Sequence, residues 1–170
     1  MSFRPKWLRP TSFARRIEDI SLDQLNESGV SGIIVDLDNT LIGYRDPVPA
    51  IGVETWIARA LASGIRVAIV TNNSSDLAHR VAHHLGCACV HRARKPHSGG
   101  FRAALEVLGT GKAATIVIGD QVFTDVLGAK LFGLRVILTE PVAQREEWWM
   151  RPLRFLERVV LYRVPRYEKD

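Results

Sequence analysis

Short runs of Val and Ile alternate along this chain with longer segments in which apolar residues recur every three or four positions. The short runs are typical of strands buried on both faces of a parallel sheet, and the periodic segments are typical of helices. The five predicted strands are 32–35, 66–70, 87–90, 115–118 and 134–138. Helices are predicted after Ser21, over 50–63, 75–85, 98–108 and 121–132, and from about 145 to 162, with a break at Pro152 left open.

Strand and helix in alternation predict one α/β domain, in which about five parallel strands form a Rossmann-like sheet covered by helices on both faces. A length of 170 residues suits a single domain. We expect a basic and aromatic N-terminal segment with one short helix (1–29), a catalytic core (30–140) and a basic C-terminal helix (141–170). Residues 5–13 are expected to be irregular.

The sequence contains no apolar run near the roughly 20 residues of a membrane-spanning helix. Its first 17 residues contain Arg and Pro instead of a signal-peptide core. We therefore expect a cytoplasmic protein, in which Cys87 and Cys89 are reduced core residues. His79 and His83 have the i, i+4 spacing of a zinc pair but no further ligand in a zinc-motif spacing, so a solvated helix face is the preferred interpretation.

The net charge of +5 is unevenly distributed. Residues 1–17 carry five basic residues and no acid, and residues 151–170 carry six basic and three acidic residues, which leaves the stretch between them at −3. Basic ends on a mildly acidic body suit contact with an anionic surface, either a membrane or nucleic acid.

Polar residues that could take part in catalysis or binding follow several of the predicted strands. Asp36 and Asp38 end the first strand, and alone such a pair would indicate only a turn. The residues that follow the later strands are Thr71, Asn72, Lys95, Asp120 and Asp125. Because parallel strands end at one edge of a sheet, where ligands bind in open α/β folds, these side chains are expected to converge.

Several carboxylates at one edge would repel one another unless a hard cation lay among them, and an oxygen ligand set suits Mg²⁺. The Thr hydroxyl and the Lys ammonium add hydrogen-bond donors for the oxygens of a phosphoryl group. The combination predicts metal-assisted phosphoryl transfer.

Four segments resemble, in order, the four motifs of the haloacid dehalogenase (HAD) superfamily: Asp36-Leu-Asp-Asn-Thr-Leu41, Thr71-Asn72, Lys95-Pro96 and Gly119-Asp120 followed by Asp125. Over nearly the whole chain the sequence is similar to the YqeG-like phosphatases of subfamily IIIA, a group that includes mitochondrial phosphatidylglycerophosphatases. The segments that carry this closer likeness include 93–96, 124–128, 141–143 and the Arg-rich end.

The resemblance implies a role for each motif residue. Asp36 would be the nucleophile that forms an aspartyl-phosphate, and Asp38 would protonate the leaving oxygen and then activate water. Thr71, Asn72 and Lys95 would bind the phosphoryl group, with Lys95 also restraining Asp36.

The metal site implied by the resemblance is formed by Asp36, Asp120 and the backbone carbonyl of Asp38, with Asp125 acting through water or through Lys95. Two plainer interpretations stay open. Asp125 can be a first-turn acid favoured by the helix dipole, and Lys95 can be a solvated loop lysine. Arg92 and Arg94 either recruit an anionic substrate or are simply solvated.

The sequence predicts an open site, because neither gap between motifs has the roughly 50 residues that a folded cap needs. An open site suits a substrate presented by a membrane or a macromolecule. In the C-terminal helix, Arg151, Arg154 and Arg158 share one face, and Leu153, Leu156, Val159 and Val160 share the opposite one. Either this apolar face packs on the sheet, or the helix meets anionic headgroups together with the aromatic residues Trp7, Phe13, Trp148 and Trp149.

The function expected from the sequence is therefore a Mg²⁺-dependent phosphomonoesterase that acts on a phospholipid headgroup, with phosphatidylglycerophosphate suggested by the resemblance alone. Alternatives are a phosphatase of a soluble metabolite or phosphoprotein and, from another class, a phospho-accepting receiver-like module. The acid pair argues against a receiver, because a switch that keeps its phosphate does not need a general acid and base. Nucleic acid is not expected as a partner. Peripheral contact with the inner face of the membrane is expected.

Overall fold

The computed structural model describes residues 6–43, 48–74, 76–142 and 151–161. They form an α/β domain around a six-stranded sheet in which all neighbouring strands are parallel. The strands are β1 (Ser12–Ala14), β2 (Gly32–Val35), β3 (Arg66–Val70), β4 (Ala88–Val90), β5 (Thr115–Gly119) and β6 (Arg135–Thr139), in the spatial order β1-β6-β5-β2-β3-β4. The predicted fold class is confirmed.

Helices cover both faces of the sheet. They are α1 (Leu22–Glu27), α2 (Ile51–Ala62), α3 (Asp76–Leu85), α4 (Ser98–Leu108), α5 (Leu127–Phe132) and α6 (Arg151–Leu161). Ser21 caps α1 by accepting a hydrogen bond from the Gln24 N–H at 3.2 Å, as the sequence predicts.

Alternate residues of the central strand β2 contribute to two separate cores. Ile33 and Val35 pack with the helices α1, α2 and α3, and Ile34 packs on the opposite face with α4 and α5. All four residues of β2 are buried. A strand covered on both faces has fully apolar side chains, and its carboxyl end is the point at which polar side chains can reach solvent.

The first strand, β1, was not predicted. Residues 12 and 13 lie in the segment expected to be irregular, since Ser-Phe-Ala between basic residues and Pro has no strand pattern of its own. Its pairing with β6 makes it a strand, with Ser12 opposite Ile137 and the Thr11 N–H donating to the Val136 carbonyl at 2.8 Å.

The orientation of α6 agrees only in part with the interpretation that its apolar face packs on the sheet. Phe155, Leu156 and Val159 are 52–65% exposed, whereas Glu157 and Leu161 are buried. The buried acid has a backbone hydrogen-bond partner, which makes its burial tolerable. The side chains of Arg151, Leu153, Arg154 and Arg158, the segment 143–150 with Trp148 and Trp149, and the end of the predicted helix lie outside the described residues.

Between β2 and β3 the described residues form a turn and α2, and between β3 and β4 they form α3. They contain no separate cap over the sheet edge. No helix within the described part of the chain has the length and apolar character needed to cross a membrane.

Candidate active site

The carboxyl end of β2 carries the two acids of the first motif. The Asp36 N–H donates to the Ile118 carbonyl of β5 at 2.9 Å, so this acid is still held by the sheet. Beyond it the chain turns sharply, because the Leu41 and Ile42 N–H groups donate back to the Leu37 carbonyl at 3.0 and 3.2 Å. This turn leaves Asp36 buried and Asp38 partly exposed, at the entrance of the site.

Lys95 bridges two acids that are far apart in sequence. Its Nζ donates to Asp36 Oδ1 at 2.5 Å and to Asp125 Oδ1 at 2.7 Å, and its side chain is 3% exposed. It is therefore not the solvated loop lysine of the plainer interpretation. Burial by itself would lower the pKa of Lys95, but the charges of Asp125 and Asp36 outweigh burial, so the pKa lies above its ordinary value.

The backbone of Lys95 is held by the side chain of Asn72. Asn72 Oδ1 accepts from the Lys95 N–H at 2.6 Å, and Asn72 Nδ2 donates to the Lys95 carbonyl at 3.1 Å. Since both ends of the amide are used in this way, the Asn72 side chain positions the lysine.

Thr71 lies at the end of β3 and orients the partly exposed acid. Its buried hydroxyl donates to Asp38 Oδ2 at 3.1 Å and accepts from the Asn73 N–H at 3.0 Å. The hydroxyl and Asp38 are thus neighbours at the mouth of the site, where a phosphoryl group could meet both.

The fourth motif ends β5 and enters a single π turn, Val122–Val126, that continues into α5. The Gln121 carbonyl accepts from both the Asp125 N–H (3.0 Å) and the Val126 N–H (3.2 Å), and Asp125 Oδ2 accepts from the Gln121 N–H (3.2 Å). The preceding Gly119 leaves room for this acid, because a Cβ there would lie 2.5 Å from Asp125 Oδ2. Asp125 is 1% exposed and bonded to Lys95, so it is more than a first-turn acid.

Asp36, Asp120 and Asp125 offer oxygens that all lie within 4.8 Å of one another, and all three residues are buried. Burial raises the pKa of Asp36 well above its ordinary value, Asp125 and Asp120 raise it further, and Lys95 opposes them. Three carboxylates against one ammonium leave two negative charges when all are ionised. A divalent cation with oxygen ligands fits this donor set in both charge and chemistry.

Other polar residues noted in the sequence are not among these three buried acids. Arg92 and Arg94 are exposed and have positive φ angles of 51° and 54°. His79 Nε2 lies 3.0 Å from His91 Nδ1, and the described residues contain no cluster of three metal-binding side chains at the histidines. Cys87 and Cys89 are free thiols, half-buried against the core, as expected.

Sequence reasoning missed Glu157, a buried carboxylate of α6. Its Oε1 accepts from the Val122 N–H at 2.7 Å, two residues beyond Asp120. An acid in an Arg-rich amphipathic helix is expected to face solvent. The only sequence signal for a special role of Glu157 is that it interrupts the run of basic residues.

The model of the haloacid dehalogenase-like hydrolase family matches residues 22–133. The chain is 35% identical over 161 residues to "Probable phosphatase YqeG" of Bacillus subtilis, which covers 95% of this chain and 94% of that protein. It is 25% identical over 169 residues to "Phosphatidylglycerophosphate phosphatase 1, chloroplastic/mitochondrial" of Arabidopsis thaliana, covering 93% of this chain and 48% of that protein.

Among solved structures, the cobalt-bound deoxy-D-mannose-octulosonate 8-phosphate phosphatase of Haemophilus influenzae is similar in fold. The TM-score is 0.53 at 13% identity, over 79% of this chain and 88% of that chain. The family and the enzyme class indicated by the motifs are confirmed, and phosphatases of this family use a divalent metal. The chain belongs to the haloacid dehalogenase-like hydrolases and is a phosphatase of that superfamily.

Proposed function

We propose that the protein is a Mg²⁺-dependent phosphomonoesterase that works through an aspartyl-phosphate on Asp36 and acts on a phospholipid headgroup. The observation that carries the chemical part is the buried cluster at the sheet edge. Asp36, Asp120 and Asp125 offer oxygens within 4.8 Å of one another, and Lys95 binds Asp36 and Asp125. The partly exposed Asp38 follows Asp36 by two residues and is bonded to Thr71. This arrangement combines a nucleophile, a cation site and an acid that solvent and substrate can reach.

In the first half of the proposed reaction, a carboxylate oxygen of Asp36 attacks phosphorus while the bond from phosphorus to the leaving alcohol breaks. Asp38, oriented by the Thr71 hydroxyl, gives its proton to the leaving oxygen. In the second half, Asp38 takes a proton from water, and the water oxygen attacks the phosphorus of the aspartyl-phosphate. Asp36 is released as a carboxylate and inorganic phosphate leaves.

Asp36, Asp120 and Asp125 would hold the cation, which when bound neutralises charge on the phosphoryl oxygens. Lys95 limits the cost of ionising Asp36, whose pKa is raised by burial. Mg²⁺ is the proposed ion because the ligands are carboxylate oxygens. We expect Ca²⁺ to inhibit, since its larger and looser coordination sphere disturbs in-line geometry.

Three features support a lipid headgroup over a small soluble phosphate. The described residues place no cap over the site, and Asp38 is reachable from solvent. The helix α6, whose Glu157 contacts the fourth motif, exposes Phe155, Leu156 and Val159. Exposed apolar residues on a helix of an Arg-rich segment suit an anionic bilayer surface. The name of the Arabidopsis relative makes phosphatidylglycerophosphate the substrate to try first.

The chemistry is tested by phosphate release from a panel of lipid and soluble phosphomonoesters, with Mg²⁺ and with excess chelator. We expect Mg²⁺-dependent release from phosphatidylglycerophosphate in vesicles, and full activity in chelator would contradict the metal assignment. Preference for a soluble ester would replace the lipid by a soluble metabolite as the substrate.

The role of α6 is tested by replacing Phe155, Leu156 and Val159 with Gln. We expect this triple variant to lose cosedimentation with anionic vesicles and hydrolysis of the vesicle-bound lipid, while hydrolysis of a soluble ester is unchanged. A matched control is the pair Val107→Gln and Leu131→Gln, which removes residues of 59% and 63% exposure from α4 and α5. Equal loss in both proteins would refute a specific surface on α6.

A further inference from the structure

Glu157 makes an unusual contact for an acid in a surface helix. It is 4% exposed, and its Oε1 accepts from the backbone N–H of Val122 at 2.7 Å. The bond joins α6 to a segment 35 residues earlier in the chain. Because a buried carboxylate is costly to desolvate, its position next to the fourth motif calls for a physical reason.

The segment that Glu157 contacts connects two acids of the cation cluster. Val122 follows Asp120 by two residues and precedes Asp125 by three. The neighbouring Gln121 N–H donates to Asp125 Oδ2 at 3.2 Å, so adjacent backbone N–H groups are each bound to a buried carboxylate. The conformation of the backbone between the two cluster acids is therefore held from both sides.

Packing adds to this contact. Leu161 of α6 is buried in the same core cluster as Val122 and Val126, and Val160 is partly buried against it. The helix thus shares a hydrophobic core with the π turn and gives it a directional hydrogen bond through Glu157. The bond from Glu157 fixes the direction of a backbone group, which apolar contact does not do because it is non-directional.

We propose that Glu157 is a positioning residue, which holds the backbone between Asp120 and Asp125 so that both carboxylates stay in the geometry of the cation site with Asp36. The inference rests on the metal site proposed above. A cation site tolerates only small errors in ligand distance, and loss of an outer hydrogen-bond partner typically weakens metal binding by roughly 10–100-fold. In this account α6 supports the cation site through Glu157, and its exposed residues form the proposed membrane-binding surface.

The test is calorimetric titration of Mg²⁺ into the metal-free protein of residues 1–170. Glu157→Met keeps the volume of the side chain and removes the oxygen acceptor, and we expect it to weaken Mg²⁺ binding by about tenfold or more. Glu157→Gln keeps a carbonyl oxygen that can accept the same bond, and we expect affinity within about threefold of the wild type. Hydrogen exchange of the Val122 amide should be faster in the Met variant and protected in the Gln variant.

The matched control is Leu161→Ala, which removes buried apolar contact from the same helix and leaves the carboxylate in place. We expect it to lower stability without weakening Mg²⁺ binding. Wild-type affinity in Glu157→Met, or equal weakening in Leu161→Ala, would overturn the positioning role. If the Met variant cannot be purified, Glu157→Asp decides in its place, because a side chain one methylene shorter should not reach Val122.

The result for the wild-type protein separates the two proposals. A wild-type protein that takes up no Mg²⁺ would overturn the metal site, and the role of Glu157 with it. If the wild-type protein binds Mg²⁺ and Glu157→Met binds it equally tightly, only the role of Glu157 is overturned.

Discussion

Replacement of Lys95 by Met should destabilise the metal-free protein strongly. Lys95 Nζ is bound to Asp36 at 2.5 Å and to Asp125 at 2.7 Å, and the three side chains are 1–8% exposed. The Met side chain fills similar space but leaves two buried carboxylates without their cation. Removing one partner of a buried ion pair typically costs about 3–5 kcal/mol. Against a total stability of roughly 5–15 kcal/mol, that is a large fraction.

The assay is urea unfolding of both proteins in excess chelator at pH 7.5, with thermal unfolding as a second measurement. For a domain of this length each 1 kcal/mol shifts the midpoint by roughly 2–4 °C, so a fall of about 6–20 °C is expected. Lys130→Met is the matched control. Its Nζ donates only to the Thr11 hydroxyl among the bonds described, at 3.0 Å, and its loss should cost within about 1 kcal/mol.

The stability of Lys95→Met should depend on pH in a direction that can be derived. Without Lys95 the pKa of Asp36, already raised by burial, should rise further. The folded variant then binds more protons than its unfolded chain, so its stability falls as pH rises. The deficit relative to wild type should be full at pH 8 and should shrink as pH falls through the raised pKa. Wild-type stability of Lys95→Met in chelator at pH 7.5 would refute the buried ion-pair account.

Three further predictions concern Asp38 of the first motif, Gly119 of the fourth motif and the thiol of Cys87. Asp38→Asn should keep the fold, because an amide oxygen can still accept from Thr71, while turnover falls by about 10²–10⁴-fold in steady-state assays. Gly119→Ala should cost about 1–3 kcal/mol in urea unfolding and most activity, since its Cβ would overlap Asp125, whereas Gly99→Ala meets no atom within 4 Å and should be tolerated. Burial raises the pKa of Cys87 to about 12, so at pH 8 its alkylation by iodoacetamide should be more than about tenfold slower in the folded than in the urea-unfolded protein.

The site could be anticipated because its residues follow strands whose ends must meet. Asp36, Thr71 and Asp120 come directly after β2, β3 and β5, and parallel pairing of these strands brings their carboxyl ends together. The spacing of apolar and polar residues along the chain was sufficient to predict that these strand ends meet. It also predicted the bounds of β2 and α4, where the apolar run or the helical period is uninterrupted.

What the sequence could not show depends on contacts between distant segments. The bridge from Lys95 to Asp36 and Asp125 spans 59 and 30 residues. The family resemblance implies it, but no periodic signal predicts the course of the loop that brings Lys95 there. Strand β1 exists through its bonds to β6. The residues of α6 that face inward could not be predicted, because burial of Glu157 is compensated by a backbone N–H that no local pattern reveals.

The most direct test of the central claim is to look for the phosphoryl group on Asp36 during turnover. The protein, with Mg²⁺ and a substrate carrying a radiolabelled phosphate, is quenched in acid on a single-turnover timescale and digested for mass spectrometry. Asp38→Asn serves as the trap with a labelled aryl phosphate, whose phenolate leaves without a proton from Asp38, so loss of the base should slow only hydrolysis of the aspartyl-phosphate. We expect label on the peptide that contains Asp36, and none in Asp36→Asn. Product formation with no labelled protein at any time, in the wild type and in the trap, would contradict the account.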